Sequence, residues 1–220
     1  MAAYFASVSA RPTPLQRPVP LSGASLLRGA LALTFISLLG FGLLYCLAGV
    51  GLGQALFPQA ANGSLIERDT RVVGSALVAQ PFTAAHYFHP RPSAANYDVM
   101  ALAGSNQARS NPALGQRIEQ ARASLAQTHG VDPKAIPDDL LTQSGSGIDP
   151  HISVAAAAMQ IGRVAQARGV ARETIEAVLA RHTQDRQFGI LGQPRVNVLE
   201  LNLAMDASTA RRPMASHESP

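Results

Sequence analysis

The sequence predicts an α+β protein: a single N-terminal transmembrane helix followed by one mixed α/β extracytoplasmic domain. Three observations predict it. Residues 29–57 form an uncharged apolar run. Two later stretches, opening at Asn111 and Ser153, have helical spacing of apolar residues, a capping residue in front and a glycine behind. Residues 71–80, RVVGSALVAQ, have the Val- and Leu-rich composition of a strand or two short ones, with Gly74 a bulge or a close contact.

The apolar run reads GALALTFISLLGFGLLYCLAGVGLGQALF. It exceeds the roughly 20 residues needed to cross about 30 Å of hydrocarbon. A helix is the one single-segment structure that satisfies its own backbone there. A secretory signal has a shorter apolar core and a small-residue cleavage site. Phe57-Pro58-Gln59-Ala60 fits such a site poorly, so the run reads as an uncleaved anchor. Arg11, Arg17 and Arg28 precede it and no charged residue follows before Glu67. That asymmetry places the N-terminus in the cytoplasm and the folded domain outside, periplasmic or extracellular if the source is bacterial. Gly49 and Gly53 form a GxxxG pair suited to close helix packing. Residues 1–28, with Pro12, Pro14, Pro18 and Pro20, read as a disordered tail, and residues 207–220 as another.

The charge balance excludes several classes. The formal net charge is +4, but three of the 18 basic residues sit in the tail, and the 15 after the apolar run face all 14 acids. No basic face for nucleic acid follows from that. Cys46 is the only cysteine, so neither a disulfide framework nor a cysteine-built zinc site can form. Lys134 is the only lysine and follows Asp132-Pro133, outside any phosphate-cradling loop.

Within residues 58–206, Asn111 as N-cap and Pro112 at the first helical position open a helix whose inner face is Leu114, Ile118, Ala121 and Leu125, stopped at Gly130. Residues 131–139 are turn-rich, and residues 142–150, TQSGSGIDP, form a glycine-serine loop, with Asp149-Pro150 in a position to start a helix. Ser153 caps a second helix with Ala157, Ile161, Val164 and Ala165 inward, ending near Gly169. A third covers residues 172–182 with Ile175, Val178 and Leu179 inward. Residues 196–205 fit helix or strand, and Asn197 as an N-cap favours helix.

Two constellations resemble chemistry. His86 and His89 stand three apart, but Pro90 and Pro92 argue against the helix that would bring them together on a metal, so surface or structural histidines are favoured. Ser144, Ser146, Asp149 and His151 are hydrolase residue types close in sequence. The GSG around Ser146 is not a nucleophile elbow, and proximity does not supply triad geometry. A membrane-anchored exoplasmic serine hydrolase using Ser146 and His151 is therefore the alternative reading. Tyr87, Phe88 and Arg91 are types that anchor interfaces, or aromatics packed in the domain's own core.

Seven blocks carry a resemblance: QAANGSLI at 59–66, GSALVAQPF at 74–82, YFHPRPSA at 87–94, GSNQARSNP at 104–112, SGSGIDPHIS at 144–153, QIGRVAQARG at 160–169 and LGQPRVNVLELNLAMD at 191–206. In this order, behind a single anchor, they resemble the C subunit of the bacterial Kdp potassium-transporting ATPase, the KdpC family. Ala79 departs from the pattern where a glycine is expected before Gln80. The resemblance implies a non-catalytic accessory subunit that assembles with a channel-like potassium subunit, a P-type ATPase subunit and a small stabilising subunit. It implies a catalytic chaperone that raises ATP affinity of the ATPase subunit. ATP and magnesium belong to that partner; no catalytic residue, cofactor or metal is assigned to this chain. Tyr87, Arg91, Ser93, Ser105, Asn106, Ser144, Ser146, Asp149 and Asn197 are then the expected structural or subunit-contact residues, and Gly49 and Gly53 the helix-packing ones.

Overall fold

The structure is a computed structural model that describes residues 22–209. The chain divides into two compact units, one ending at Phe57 and the other beginning at Pro58.

Among its described residues the first unit is one continuous helix, α1 (Gly23–Leu56), capped by the Ser22 hydroxyl, which accepts from the Ser25 N–H. At 1.5 Å per residue its 34 residues extend about 50 Å, more than the hydrocarbon thickness. Its side chains are not buried, as suits a helix whose solvent is lipid or a neighbouring helix. Over Leu38–Tyr45 the turns widen to π-helix, and the Cys46 thiol reaches back five residues to the Phe41 carbonyl at 3.5 Å. The helix begins before the uncharged run, so a disordered tail through residue 28 is corrected over residues 23–28. The rest of that expected tail lies outside the described residues.

The second unit opens with a helical turn, Pro58–Ala61, and a hairpin of β1 (Leu65–Arg68) and β2 (Arg71–Ser75). The two-residue turn Asp69-Thr70 holds both residues at positive φ, the geometry that matches strand twist. The register shifts between Ile66 and Glu67, leaving Val73 as a bulge. Next to it Gly74 makes the close approach expected of it: a Cβ there would stand 2.2 Å from the Gln80 side-chain nitrogen. The strand stops at Ser75, short of the expected Gln80.

Helices α2 (Pro112–His129), α3 (Val154–Arg168), α4 (Arg172–Arg181) and α5 (Val198–Thr209) form the body. The predicted caps hold. Asn111 accepts from the Ala113 N–H at 3.0 Å, Ser153 from Ala156 at 3.0 Å, and Gly130 and Gly169 close their helices in the left-handed conformation. The core is Ile161 and Val164 of α3, Ile175, Val178 and Leu179 of α4, and Leu201 and Met205 of α5, around Phe88. Ile118, Ala121 and Leu125 of α2 pack on it half-buried.

A small antiparallel sheet, in the order β3-β5-β4, was not anticipated. It joins β3 (His151–Ser153), β4 (Thr183–Gln184) and β5 (Arg195–Asn197). Asp149-Pro150 therefore leads into a strand, not a helix. The ambiguity over residues 196–205 resolves both ways: the chain is strand to Asn197, then helix, with the Asn197 side-chain oxygen Oδ1 accepting from the Glu200 N–H. The last helix reaches Thr209, so a tail from 207 is corrected over residues 207–209; the rest of that expected tail lies outside the described residues.

Candidate functional site: a loop platform braced by side chains

Residues 76–111 contain no helix and no strand, yet they enter the core at Ala79, Phe88 and Pro90. A buried backbone without a ladder must find hydrogen bonds elsewhere. Here they come from side chains of the helices. The Asn202 carboxamide accepts from the Phe88 N–H at 2.8 Å and donates to the Phe88 carbonyl at 2.9 Å. Gln160 does the same for His89, at 2.8 and 3.1 Å. Both amides are buried, Gln160 and Asn202 each being 1% exposed. Arg163 donates to the carbonyls of Ala85 and Tyr87, and Arg168 to that of His86.

Tyr87 sits against this frame. Its hydroxyl donates to Asp206 at 3.1 Å, and the Arg168 guanidinium lies 5.4 Å from its ring centre while bonding Asp206 at 2.9 Å. Burial, reinforced by Asp206, raises the phenol above its ordinary value. Phe88 is fully buried, which settles it as a core residue.

Arg91 donates to Asp149 at 3.3 Å and lies 3.5 Å from the Thr142 hydroxyl, and its carbonyl accepts from the Tyr97 hydroxyl at 2.9 Å. Burial pushes the Asp149 carboxyl up, but His151, through its side chain and its N–H, together with Arg91, outweighs that and leaves it below the ordinary value. Ser93 donates to the Gly147 carbonyl at 2.6 Å and accepts from the N–H groups of Ala95 and Tyr97. Ser144 and Ser146 share a 3.1 Å hydrogen bond, and their oxygens accept from the N–H groups of Gly147 and Ile148. Asn197 donates to the Ala76 carbonyl at 2.8 Å besides its capping bond. So Arg91, Ser93, Ser144, Ser146 and Asp149 meet in one network of loop contacts, while Tyr87 bonds Asp206 and Asn197 bonds Ala76 and Glu200 separately.

Ser105 and Asn106 stand apart from it. Both are exposed; Asn106 is in the left-handed region at φ 49°, and Ser105 borders a cleft of about 470 Å³ with Arg109, Arg117 and Arg122. The loops still interlock there. A Cβ on Gly104 would meet the Gly145 carbonyl at 2.7 Å, and one on Gly147, already at φ 79°, the Ala103 carbonyl at 2.7 Å. Ala79 is buried and donates its N–H to Ile148, so a methyl is accommodated where a glycine was expected. Gly49 and Gly53 have open space where a Cβ would go.

A second cleft, of about 640 Å³, is bordered by Arg91, Asp139, Asp149, His151, Ser153 and Arg195. Asp139 is committed to Ser153, accepting from its N–H and its hydroxyl. The hydrolase arrangement is not formed. Ser146 bonds Ser144 and Ile148, His151 faces Asp149 at 3.6 Å, and no hydrogen bond joins Ser146 to His151. His86 lies against the Tyr87 ring, while His89 bonds the Ala84 carbonyl at 3.2 Å. Among the described residues no group of three or more His, Cys, Asp or Glu is placed to hold a metal. The platform can position loops rigidly and present polar edges. It contains no base oriented on a nucleophile.

Sequence reasoning missed Asn202, Gln160, Arg163 and Arg168, which do most of the bracing. The available signal was polar residues on otherwise apolar helical faces: Gln160 directly precedes Ile161, and Asn202 directly follows Leu201.

Known proteins share this chain's sequence over most of its length. The family model for the K+-transporting ATPase, c chain, matches residues 27–207. A protein named potassium-transporting ATPase KdpC subunit from Xanthomonas oryzae pv. oryzae is 57% identical over 188 residues, covering 86% of this chain and 90% of its own. Proteins of the same name from Gemmatimonas aurantiaca and Methylococcus capsulatus are 52% and 48% identical, covering 85% and 81% of this chain and 95% of their own.

Proposed function

The chain belongs to the KdpC family of potassium-transporting ATPase subunits, and on that premise we propose that it is a non-catalytic accessory subunit of an ATP-driven potassium uptake complex. It assembles with a channel-like subunit, a P-type ATPase subunit and a small stabilising subunit. The observation that carries the non-catalytic part is where the platform's polar groups are used. Arg91, Ser93, Ser144, Ser146 and Asp149 bond one another and loop backbone, Tyr87 bonds Asp206, and no hydrogen bond joins Ser93, Ser144 or Ser146 to a histidine.

The N-terminus is cytoplasmic and the folded domain periplasmic, because the arginines flank only the N-terminal side of the apolar segment. ATP, with magnesium, binds the ATPase subunit on the opposite side. The catalytic-chaperone effect is then indirect, a coupling between distant sites typically worth about 1–3 kcal/mol. The helix packs in the membrane through the Gly49/Gly53 face, where a neighbour can approach without meeting a side chain.

The test is a mild-detergent pull-down of the full chain with a C-terminal tag, from cells grown at micromolar potassium. Recovery of a P-type ATPase and a channel-like subunit, with potassium-stimulated ATP hydrolysis, is expected. Recovery of the chain alone while both partners are expressed overturns the reading.

A further inference from the structure

We propose that the projecting tip at residues 186–191 is a docking anchor that enters an apolar pocket with an acidic rim on a partner subunit of the complex. The proposal rests on the subunit reading above. The tip lies between β4 and β5 and carries three large apolar side chains in the open: Phe188 is 83% exposed, Ile190 76% and Leu191 55%. Scattered apolar residues are ordinary on a surface, but three gathered on one turn mark an interaction site.

The tip is held in one shape. Gln187 and Leu191 exchange both backbone hydrogen bonds at 2.9 Å, and Gly189 and Ile190 donate to the carbonyls of Arg186 and Gln187. Phe188 is kept at φ 55°, a conformation that a bulky residue rarely adopts. Such strain persists where the surroundings enforce it, and it turns the ring outward before any partner arrives. A preformed apolar anchor loses little entropy on docking.

The flanking charge states the chemistry of the partner. Residues 181–195 contain Arg181, Arg186 and Arg195 against the single acid Asp185. Arg186 bonds Gln193 at 3.2 Å and Arg195 bonds Gln184 at 3.2 Å, so both guanidiniums are held beside the tip. An aromatic anchor beside arginines is the composition of an interface hot spot, and it selects a carboxylate rim. A protein pocket fits better than lipid, because irregular backbone exposed to hydrocarbon leaves its carbonyls unsatisfied.

The experiment uses the intact complex. The tagged full chain carries Phe188→p-benzoylphenylalanine and is irradiated in native membranes before purification. A cross-link from position 188 to another subunit is expected. In parallel, Phe188→Asp and Arg186→Glu reduce the recovered partner on the order of tenfold or more, the loss of a hot spot. Leu77→Asp, at an exposed apolar residue outside residues 186–191, leaves recovery unchanged. Cross-linking to lipid only, or none while partners co-purify, overturns this proposal alone. Equal loss in the Leu77 variant also overturns it. If the unsubstituted chain recovers no partner, the subunit reading fails and this one with it.

Discussion

The carboxamide of Asn202 bonds both the N–H and the C=O of Phe88, so a side chain on α5 takes the place of the neighbouring strand that Phe88 lacks. The pair is buried and 114 residues apart in sequence. It ties the extended segment to the last helix through the middle of the core.

Removing that amide leaves two buried backbone groups without partners. Asn202→Leu is expected to destabilise the domain by roughly 2–4 kcal/mol, since each unsatisfied buried group costs about 1–3. Pulse proteolysis of the full chain in detergent across a urea series measures it. A loss below about 1 kcal/mol would mean that water replaces the amide.

Gly145 and Gly147 differ although they flank the same serine. Gly145 has open space at its Cβ position and no positive φ, whereas Gly147 sits at φ 79° against the Ala103 carbonyl. Gly147→Ala is expected to cost about 2 kcal/mol or more from backbone strain and the clash together. Gly145→Ala should be within about 0.5 kcal/mol of the parent. Parallel unfolding curves for the two variants decide it, and similar losses would refute the assignment of strain to Gly147.

Arg91 holds Asp149 and approaches Thr142 from the opposite loop. Arg91→Ala is expected to loosen both loops and to slow growth at micromolar potassium. Arg91→Lys should restore little, because an ammonium does not reproduce a guanidinium reaching two acceptors. Full rescue by lysine would show that charge alone matters there.

Acid should weaken the domain in a defined window. His89 and His129 are both held below the ordinary value of 6.5, by burial first and then by the Arg163 guanidinium. Such groups bind protons more readily when unfolded. Their contribution is complete above 6.5 and is lost as pH falls from there toward their folded values. The Asp149 carboxyl, also lowered, acts in a separate window, below its ordinary 3.8. Thermal unfolding of the full chain at intervals from about pH 7.5 to about pH 5 should show a falling midpoint, and His129→Gln should flatten that slope. An unchanged slope would remove His129 from the account.

The long apolar helix, the helix caps, the inward faces of α3 and α4 and most of that of α2 were legible in the sequence because they are local; Leu114, expected inward on α2, borders the cleft of about 470 Å³ instead. An uncharged run long enough to span hydrocarbon, an Asn-Pro or Ser cap, and apolar residues three and four apart each state their own conformation. The ordered blocks of sequence carried the family for a similar reason, being read directly along the chain.

The tertiary structure alone decided the rest. Strands of two or three residues have too little periodicity to read, and β3 and β4 exist only because β5 arrives between them. The turn at Asp69-Thr70 lacks the glycine that usually betrays a hairpin. Above all, residues 85–89 take their form from Gln160, Arg163, Arg168 and Asn202, which lie far along the chain. Long-range hydrogen bonds to backbone leave no spacing pattern in the segment that they hold. Composition could place Ser146 near His151 in sequence, but only the packed loops show each turned to a different partner.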